Sequence, residues 1–498
     1  MKKLVYTLLF FVSIFILESC GSEIEQETSK ETPKEQKVTD NEVNTFEEEI
    51  KPIIEGVIRI DGFYATSTLI PHRDYGVGNL FDDNEDTYWS AMEGAGKDEG
   101  IMLYFDSYVH IEKILLKYPN LNNTGEIQQI AIYGDGKGFG GYSSDDIYVR
   151  DVLKSIFIKI NDIDFKGNKN AICAISELQF IDSLGQQIPV QIPTIVNGEI
   201  TATSTLKPNQ AYNAANVFDS KKEISWAEGS KGKGENETLT INLDEEVTIT
   251  ELKIWNGFQR SSKHYQANAR VKSFTFGQLG DVYEVKDQIT PQIIKLKTPV
   301  KGKEFILKVI DVYGGDEYED LVISEIKLYD NDGWICVRTP FEEEIKKKLI
   351  SEIEDNIAMS NVIDRNLNYQ NKKEKQTGKM ESTHYYTKSM VLRSNHTFVL
   401  YESESEEWVD YTNVETDKDD PDYGYDNKET ISEGNWELLE MNDGSAKVRI
   451  FGRRYSPTTD KELYKGDITS DNLKIFQDYL TITKNSIKGK RFIDEFTY

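Results

Sequence analysis

The chain has 498 residues, and its 86 acidic against 58 basic residues give a net charge of -28. This length is too great for one hydrophobic core and suits three domains of ordinary size. The negative charge repels phosphate backbones and therefore argues against a nucleic-acid partner. Short alternating apolar runs and many tyrosine and phenylalanine residues indicate a mainly β protein.

The N-terminal residues have the pattern of a secretory signal. Lys2 and Lys3 precede an apolar run at residues 4–17, which is long enough for a signal peptide but short for a membrane span. The Leu-Glu-Ser-Cys sequence at residues 17–20 resembles a bacterial lipobox. This resemblance implies a signal peptide at residues 1–19 and acylation of Cys20. An ordinary secretory signal with an incidental cysteine is the alternative.

A polar segment follows at residues 20–49. It contains too few apolar side chains to offset the entropy of ordering, so we expect a disordered acidic tether. The resemblance to a lipobox places the protein in a bacterial cell envelope, anchored to the membrane by lipid, and Gly21 fits the outer membrane of a Gram-negative cell. The remaining cysteines, Cys173 and Cys336, fall in different predicted domains, so the sequence indicates no disulfide framework.

An internal duplication sets the domain size. Residues 65–89 and 202–226 align without a gap at an offset of 137, and eleven of the 25 positions are identical. Ile-Ser-Glu-Leu at residues 175–178 matches Ile-Ser-Glu-Ile at residues 323–326, at an offset of 148, so the second copy has longer loops. The repeat predicts domains at residues 50–190 and 191–330, followed by a third at residues 331–498.

The opening pattern of both copies runs from Ser-Thr-Leu through a proline and Asn-(Leu/Val)-Phe-Asp to a tryptophan. It resembles the discoidin (F5/8 type C) family, and within it the NADase-type glycan-binding domain of bacterial surface proteins. The resemblance implies two tandem antiparallel jelly-roll sandwiches of galactose-binding-like topology. In the second copy it continues through the segment at residues 256–272. In the first copy Trp89, Glu93 and Gly94 match, but residues 118–120 replace the Asn-Gly-aromatic sequence, which leaves a ligand site there open.

A sugar site needs an aromatic platform beside planar donors and acceptors, because sugar rings have apolar faces edged by hydroxyl groups. The resemblance implies non-catalytic binding of a carbohydrate or glycoconjugate, chiefly by the second copy. The predicted glycan-binding residues are Trp226, Glu228, Asn256, Phe258, Tyr265, Asn268 and Arg270. The alternative is structural: Trp226, like Trp89 in the first copy, plugs the sandwich, and Arg270 forms an ion pair.

One acidic segment has the spacing of a calcium loop. Asp82, Asn84, Asp86 and Glu93 stand at positions 1, 3, 5 and 12 of an EF-hand-like pattern. Thr87 occupies the position where the sharp turn requires glycine, and no helix pattern flanks the segment. A solvated acidic turn is therefore favoured over a structural calcium site, and we expect no cofactor.

The sequence contains few signs of catalysis. A GxGxxG at residues 136–141 lacks the helix that would bind a pyrophosphate, so a hairpin is favoured. The five histidines, His72, His110, His264, His384 and His396, form no metal-ligand spacing such as HExxH, and no GxSxG is present. We therefore expect no enzyme activity. A protein-interaction or envelope-scaffold lipoprotein, and an accessory part of a degradative enzyme, are the alternatives.

The C-terminal third combines helix and strand patterns. Apolar residues at spacings of three and four predict one amphipathic helix at residues 342–362. Strands are predicted at residues 385–402, 434–441, 447–454 and 476–483, with a hairpin turn at residues 442–444 and a mobile acidic loop at residues 402–429. The sequences at residues 395–398 and 434–438 resemble strands of a small lipocalin-like barrel. We expect a mainly β protein with two jelly-roll sandwiches and a C-terminal α+β or small β-barrel domain.

Overall fold

The computed structural model describes residues 56–489, except for residues 136, 144, 169, 279, 378, 413–421, 457–473 and 485. The predicted signal peptide, the acylated Cys20 and the tether lie outside this part of the chain. Within it the protein is mainly β, as the sequence predicts. None of the described helices combines the length and apolar composition needed to cross a bilayer.

The first copy of the repeat forms a β-sandwich. Its elements are β1 (Ile58–Ala65), α1 (His72–Tyr75), a 3-10 turn (Val77–Phe81), β2 (Trp89–Ser90), β3 (Gly100–Lys117), β4 (Glu126–Gly134), β5 (Lys137–Tyr142), β6 (Asp146–Asp164), β7 (Ala174–Ile175), β8 (Glu177–Ile181), β9 (Gln187–Ile188) and β10 (Val190–Gln191). Strand β3 pairs with β1 through its first half and with β8 through its second half. Strand β3 thus belongs to both layers of the sandwich. The core between the layers is filled by alternating residues such as Ile156, Ile158 and Ile160.

The second copy repeats this arrangement. Its elements are β11 (Thr194–Ala202), α2 (Asn209–Tyr212), a 3-10 turn (Ala214–Phe218), β12 (Trp226–Ala227), β13 (Thr238–Asn256), α3 (Ser262–Ala267), β14 (Arg270–Phe276), β15 (Val282–Glu284), β16 (Gln292–Tyr313), β17 (Val322–Tyr329) and β18 (Trp334–Arg338). Strand β13 pairs with β11 and with β17, as β3 does with β1 and β8. Strand β18 pairs in parallel with β11, so the second sandwich includes residues beyond 330.

The glutamate of the duplicated Ile-Ser-Glu motif is buried in both copies. The carboxylate of Glu325 accepts the backbone N–H of Ser220 at 3.1 Å, in the loop that follows the 3-10 turn. Glu177 likewise interacts with the backbone of Asn84, in the equivalent loop of the first copy. The loop residue Ser220 has a positive φ of 60°, so the acid fixes a conformation that few side chains adopt freely. The repeated motif is therefore a structural element of the sandwich.

The C-terminal domain is an antiparallel sheet with helices on one face. Its elements are α4 (Phe341–Ile353), α5 (Ile357–Ser360), β19 (Leu367–Thr377), β20 (Met380–Leu392), β21 (Thr397–Asp410), β22 (Asp422–Asn442), β23 (Ser445–Tyr455), β24 (Lys474–Thr483) and β25 (Ser486–Gly489). The seven strands pair in chain order, and no described pairing joins β19 to β25. The described part of the domain fits the α+β alternative, with Leu349, Ile353 and Met359 packed on the sheet.

Three predictions for this domain are wrong in detail. The single helix at residues 342–362 is two helices, because Asn356 accepts the N–H of Met359 and starts a new one. The strand at residues 385–402 is two strands joined by a buried turn at residues 393–396. Residues 402–410 and 422–429 of the predicted acidic loop instead belong to β21 and β22, which pair from Glu402 with Thr430 to Asp410 with Asp422, and residues 413–421 of that loop lie outside the described residues.

Two turn predictions are confirmed. Strands β22 and β23 are joined by Asp443 and Gly444, with Asn442 opposite Ser445. The glycine-rich segment is a hairpin, since β5 pairs antiparallel with β4.

Candidate functional site

The predicted platform Trp226 has no exposed surface. Its Nε1–H donates to the carbonyl of Ser204 at 3.0 Å, and its ring packs in the core of the second sandwich. Trp89 does the same in the first copy, donating to the carbonyl of Ser67 at 3.3 Å. Neither ring presents a face on which a sugar could stack in this conformation.

The predicted residue Glu228 is also fully buried. One of its carboxylate oxygens accepts the N–H and the hydroxyl of Ser230, at 2.7 and 2.8 Å. Its other oxygen, Oε1, has no hydrogen-bond partner among the described residues. Glu237 lies in the same cluster and accepts the hydroxyl of Ser204 at 2.9 Å. The acid is thus part of an internal polar cluster beside Trp226.

The other predicted residues come together in one network. Arg270 donates to both carboxylate oxygens of Asp287, at 2.7 and 2.9 Å, and Tyr265 donates its hydroxyl to the same acid at 2.8 Å. Arg270 also donates to the carbonyl of Asn268 at 2.7 Å. Asn256 exchanges two hydrogen bonds with the backbone of Val271, at 2.7 and 2.9 Å. The ion pair that the alternative interpretation predicts for Arg270 is present, and it holds residues 256–270 in shape.

Gly257 explains why the Asn-Gly sequence suits this network. Its φ is +71°, in the left-handed region. A Cβ atom added there would lie 2.8 Å from side-chain carbons of both Arg270 and Tyr265. Only glycine fits this position without displacing those side chains.

The segment at residues 256–270 contacts the C-terminal domain. Arg260 is buried and donates its Nη2–H to Oδ1 of Asn435 at 2.6 Å, while Arg453 donates to the carbonyl of Arg260 at 3.0 Å. The ring of Tyr212 lies 6.4 Å from that of Phe258 on one side and 6.4 Å from that of Phe451 on the other. The segment is therefore partly an interface between domains.

One cavity lies where the three domains meet. This cavity has a volume of about 210 Å³, and two of its walls are equivalent parts of the repeat. The first copy contributes His72, Arg73 and Asn79. The second copy contributes Gln210 and Asn216, which correspond to Arg73 and Asn79 at the repeat offset of 137 residues. The C-terminal domain and β18 complete the lining with Arg338, Thr339, Phe341, Glu342, Asn395 and Asn435. Since the side chain of Arg73 is 75% exposed, the cavity reaches solvent there.

The repeated asparagine has the same role in both walls. Asn79 donates to the carbonyls of Asp74 and Tyr88, at 2.8 and 3.1 Å. Asn216 donates to the equivalent carbonyls of Ala211 and Ser225, at 3.1 and 3.0 Å. These bonds fix the short helix against the following strand and so shape each wall of the cavity.

A buried charge network supports one side of the cavity. Glu342 accepts from Lys221 at 3.1 Å and from Lys346 at 3.0 Å. Burial alone would raise the pKa of Glu342, but these two ammonium groups hold it well below its usual value. Lys346 also donates to Nε2 of His72 at 3.0 Å. Burial and the nearby Lys346 lower the pKa of His72 to about 4, so the imidazole is neutral at physiological pH.

Two further charged residues line the cavity. Burial raises the pKa of Asp219 well above its usual value, against the attraction of Lys221. The guanidinium group of Arg338 has no hydrogen-bond or ion-pair partner in the described part of the chain. The polar side chains of Gln210 and Thr339 likewise lack partners there. These three residues are available to a ligand, and no sequence motif pointed to them.

The acidic turn in the first copy binds its own backbone. Asp82 accepts the N–H of Asn84 at 3.1 Å and the hydroxyl of Thr87 at 2.7 Å. Asn84 accepts the N–H of Asp86 at 3.2 Å. Glu93 belongs to no group of metal ligands in the described residues. The oxygens of this turn are thus used to shape it.

The second sandwich matches a known family. Residues 193–329 fit the family model of the NAD glycohydrolase translocation F5/8 type C domain. No curated protein matches the chain.

Several solved structures are similar at low identity. The arabinofuranosyltransferase AftD from Mycobacteria is 9% identical, with 79% of this chain and 38% of that chain covered and a TM-score of 0.26. The CBM32-1 and CBM32-2 domains of Clostridium perfringens ZmpB in complex with GalNAc are 11% identical, with 54% and 90% covered and a TM-score of 0.21. The family 32 CBM of C. perfringens NanJ in complex with galactose is 16% identical, with 27% and 93% covered and a TM-score of 0.20. The chain thus spans little more than a third of the mycobacterial transferase.

Proposed function

We propose that this protein is a lipid-anchored, non-catalytic carbohydrate-binding protein of a bacterial cell envelope. Its second sandwich, which fits a discoidin-like family model, would provide the main contacts. We infer that the ligand binds in the cavity where the three domains meet, rather than on Trp226, because that ring is fully buried.

The cavity carries this proposal. Its free polar groups are an amide on Gln210, a hydroxyl on Thr339 and a guanidinium on Arg338, which suit the hydroxyl groups of a sugar. Aromatic rings from Phe63, Tyr64, Phe218 and Phe341 line it as well and suit the apolar faces of a sugar. Its volume of about 210 Å³ is below the roughly 300–1,000 Å³ typical of drug-sized ligands, so one sugar residue is the fitting occupant.

The network at residues 256–270 remains a second proposed contact region. Arg270 and Asn268 are each 8% exposed, so a ligand could reach only the edges of these side chains. Asp287, with a side chain 38% exposed, is the most open member of the network. We therefore assign this region a supporting role, in which it holds the second sandwich against the C-terminal sheet.

A glycan array probed with the full chain in detergent tests the proposal. We expect binding to a restricted set of glycans and a weaker signal for Gln210→Ala, which removes a free amide from the cavity. Arg270→Gln is the matched comparison, because it removes polar contacts from the other region. A signal lost in Arg270→Gln at an unchanged melting temperature, and kept in Gln210→Ala, would move the site to residues 256–270. A chain that binds no glycan would contradict the proposal.

The non-catalytic part of the proposal has its own test. No nucleophile or metal motif is present in the sequence, which supports binding without turnover. A glycan identified on the array should be recovered unchanged after incubation with the protein, as judged by mass spectrometry. Shortened products would show an enzyme instead.

The anchor is tested separately, because Cys20 lies outside the described residues. We expect labelled fatty acid to be incorporated into the wild-type protein in a bacterial host and not into Cys20→Ser. Equal labelling of both would exclude Cys20 as the acylated residue, and no labelling of the wild type would favour the ordinary secretory signal.

A further inference from the structure

We propose that the ligand of this cavity is an acidic sugar, whose carboxylate is bound by Arg338. This inference rests on the proposed carbohydrate function and narrows it to one ligand class.

The position of Arg338 follows from the pairing of β18. Ile335 and Val337 are buried in the second sandwich, so Cys336 and Arg338 point to the opposite face of the strand, and both line the cavity. Arg338 is the last residue of the strand, beside Thr339 and the start of α4. A strand paired with β11 thus presents the guanidinium on a fixed backbone.

The balance of charge in the cavity favours an anion. Lys221 and Glu342 form an ion pair, and Arg73 pairs with Asp74 at 3.2 Å near the opening. The carboxylate of Asp219 accepts the backbone N–H of Lys221 at 2.8 Å and is attracted by the ammonium group of the same residue, so it already has a partner. Arg338 is therefore the lining charge that lacks a partner within the described structure.

The position of a second ammonium group strengthens the argument. Lys346 shares Glu342 with Lys221, so one carboxylate faces two cations beside the cavity. The chain as a whole carries a net charge of -28, which would repel an anion from most of its surface. The cavity lining departs from that balance, with the basic Arg73, Lys221 and Arg338 against the acidic Asp219 and Glu342.

The guanidinium group selects the kind of anion. Arginine offers two parallel N–H donors that match the two oxygens of a carboxylate, whereas lysine offers a point charge. The neighbouring Gln210 and Thr339 would then bind the hydroxyl groups of the same sugar. The arrangement fits a uronic or other carboxylated sugar better than a neutral one.

The test is a glycan array that carries uronic-acid-containing and sialylated glycans beside neutral glycans, probed with the full chain and three variants. The wild type should bind acidic glycans in preference to neutral ones. Arg338→Gln should weaken that binding by roughly 10- to 100-fold, since it removes hydrogen bonds to a charged group. Arg338→Lys should bind with intermediate strength, because it keeps the charge and loses the paired donors.

The matched control is Arg150→Gln. Arg150 lies on β6 outside the cavity lining, and its side chain is 67% exposed beside Glu112. This variant changes the net charge by the same amount and should bind as the wild type does. The melting temperature of Arg338→Gln should also be unchanged, since no described residue depends on that side chain.

The outcomes separate the two proposals. Binding of neutral glycans alone, or acidic binding that Arg338→Gln leaves unchanged, would overturn this inference and leave carbohydrate binding in place. A wild-type chain that binds neither class would overturn both.

Discussion

Arg393, in the turn between β20 and β21, donates its Nε–H to both carboxylate oxygens of Glu99 in the first sandwich, at 2.8 and 3.1 Å. The two side chains are almost completely buried, at 7% and 1% exposed. Next to this pair, Ser389 and Asn366 each donate to Asp98 at 2.9 Å. The C-terminal sheet is thus attached to the first sandwich by buried polar contacts, as it is attached to the second sandwich through Arg260.

Removing one member of the Glu99–Arg393 pair should strongly destabilise the protein. Glu99→Gln leaves a guanidinium buried without its carboxylate, which costs about 3–5 kcal/mol in comparable pairs. We expect Arg393→Met to have a similar effect, and the double variant to lose much less free energy of unfolding than the two losses combined. Urea denaturation of the four proteins measures this coupling, and additive losses would show that the pair contributes little.

His396 should make the protein sensitive to acid. Its ring stacks on Trp436 with centroids 4.6 Å apart, and burial lowers its pKa to about 4, although its hydrogen bond to the carbonyl of Trp436 opposes this. The unfolded chain has the ordinary value near 6.5, so it takes up the proton first as the pH falls. His396 therefore lowers the free energy of unfolding as the pH falls from 6.5 to about 4, by about 3 kcal/mol in total.

The variant His396→Asn tests this. Residue 396 has a positive φ of 62°, which asparagine tolerates, and asparagine does not titrate. The variant should be less stable than the wild type at pH 7, because it loses the ring contact, and the difference should shrink as the pH falls to 4. A constant difference across urea unfolding at pH 7, 5.5 and 4 would contradict the assignment.

Lys222 should destabilise the protein at neutral pH. Its ammonium lies 4.6 Å from the ring of Tyr104, and burial together with Lys327 and Lys253 lowers its pKa to about 8. The folded state therefore disfavours the protonated form of Lys222. The resulting loss in free energy of unfolding is complete below pH 8 and disappears as the pH rises to about 10.5. We expect Lys222→Met to increase the free energy of unfolding at pH 7 by on the order of 1 kcal/mol.

The control for this prediction is Lys222→Arg, which keeps the positive charge and should give no gain. Thermal unfolding of the three proteins between pH 7 and 10.5 should show the advantage of Lys222→Met declining with pH. An advantage that grows with pH would reverse the proposed sign.

Asn256 should matter for stability more than for binding. Its amide satisfies the N–H and the carbonyl of Val271, and it is fully buried. Asn256→Ala leaves two buried backbone groups without partners and should cost about 1–3 kcal/mol or more. The folded fraction should still bind glycan with the wild-type affinity. Loss of affinity without loss of stability would instead make Asn256 a contact residue.

The fold could largely be predicted from the sequence because the repeat and the strand patterns are local. Apolar side chains at every second position, as at Leu239, Ile241 and Leu243, depend only on which face of a strand is buried. Alternation of apolar residues does not predict strand bounds correctly where buried and exposed positions do not alternate. Residues 393–396 form a turn that is buried between domains, and the paired ends of β21 and β22 have few buried residues on either face.

The site was harder to predict, since it depends on contacts between domains. The residues at 256–270 carry a specific resemblance, but their side chains form internal bonds that the sequence does not reveal. Arg338 and Glu342 belong to no motif, and Gln210 stands at a position of the repeat where the two copies differ; the three share a cavity because three domains meet there. The proximity of these three residues arises from the packing of the domains and cannot be inferred from their spacing in the sequence.

A crystal structure of the full chain with an acidic glycan from the array tests the central claim most directly. We predict one sugar residue between the segment at residues 72–79 and its equivalent at residues 209–216, with its carboxylate facing Arg338. A glycan bound elsewhere, with this cavity unchanged, would contradict the account.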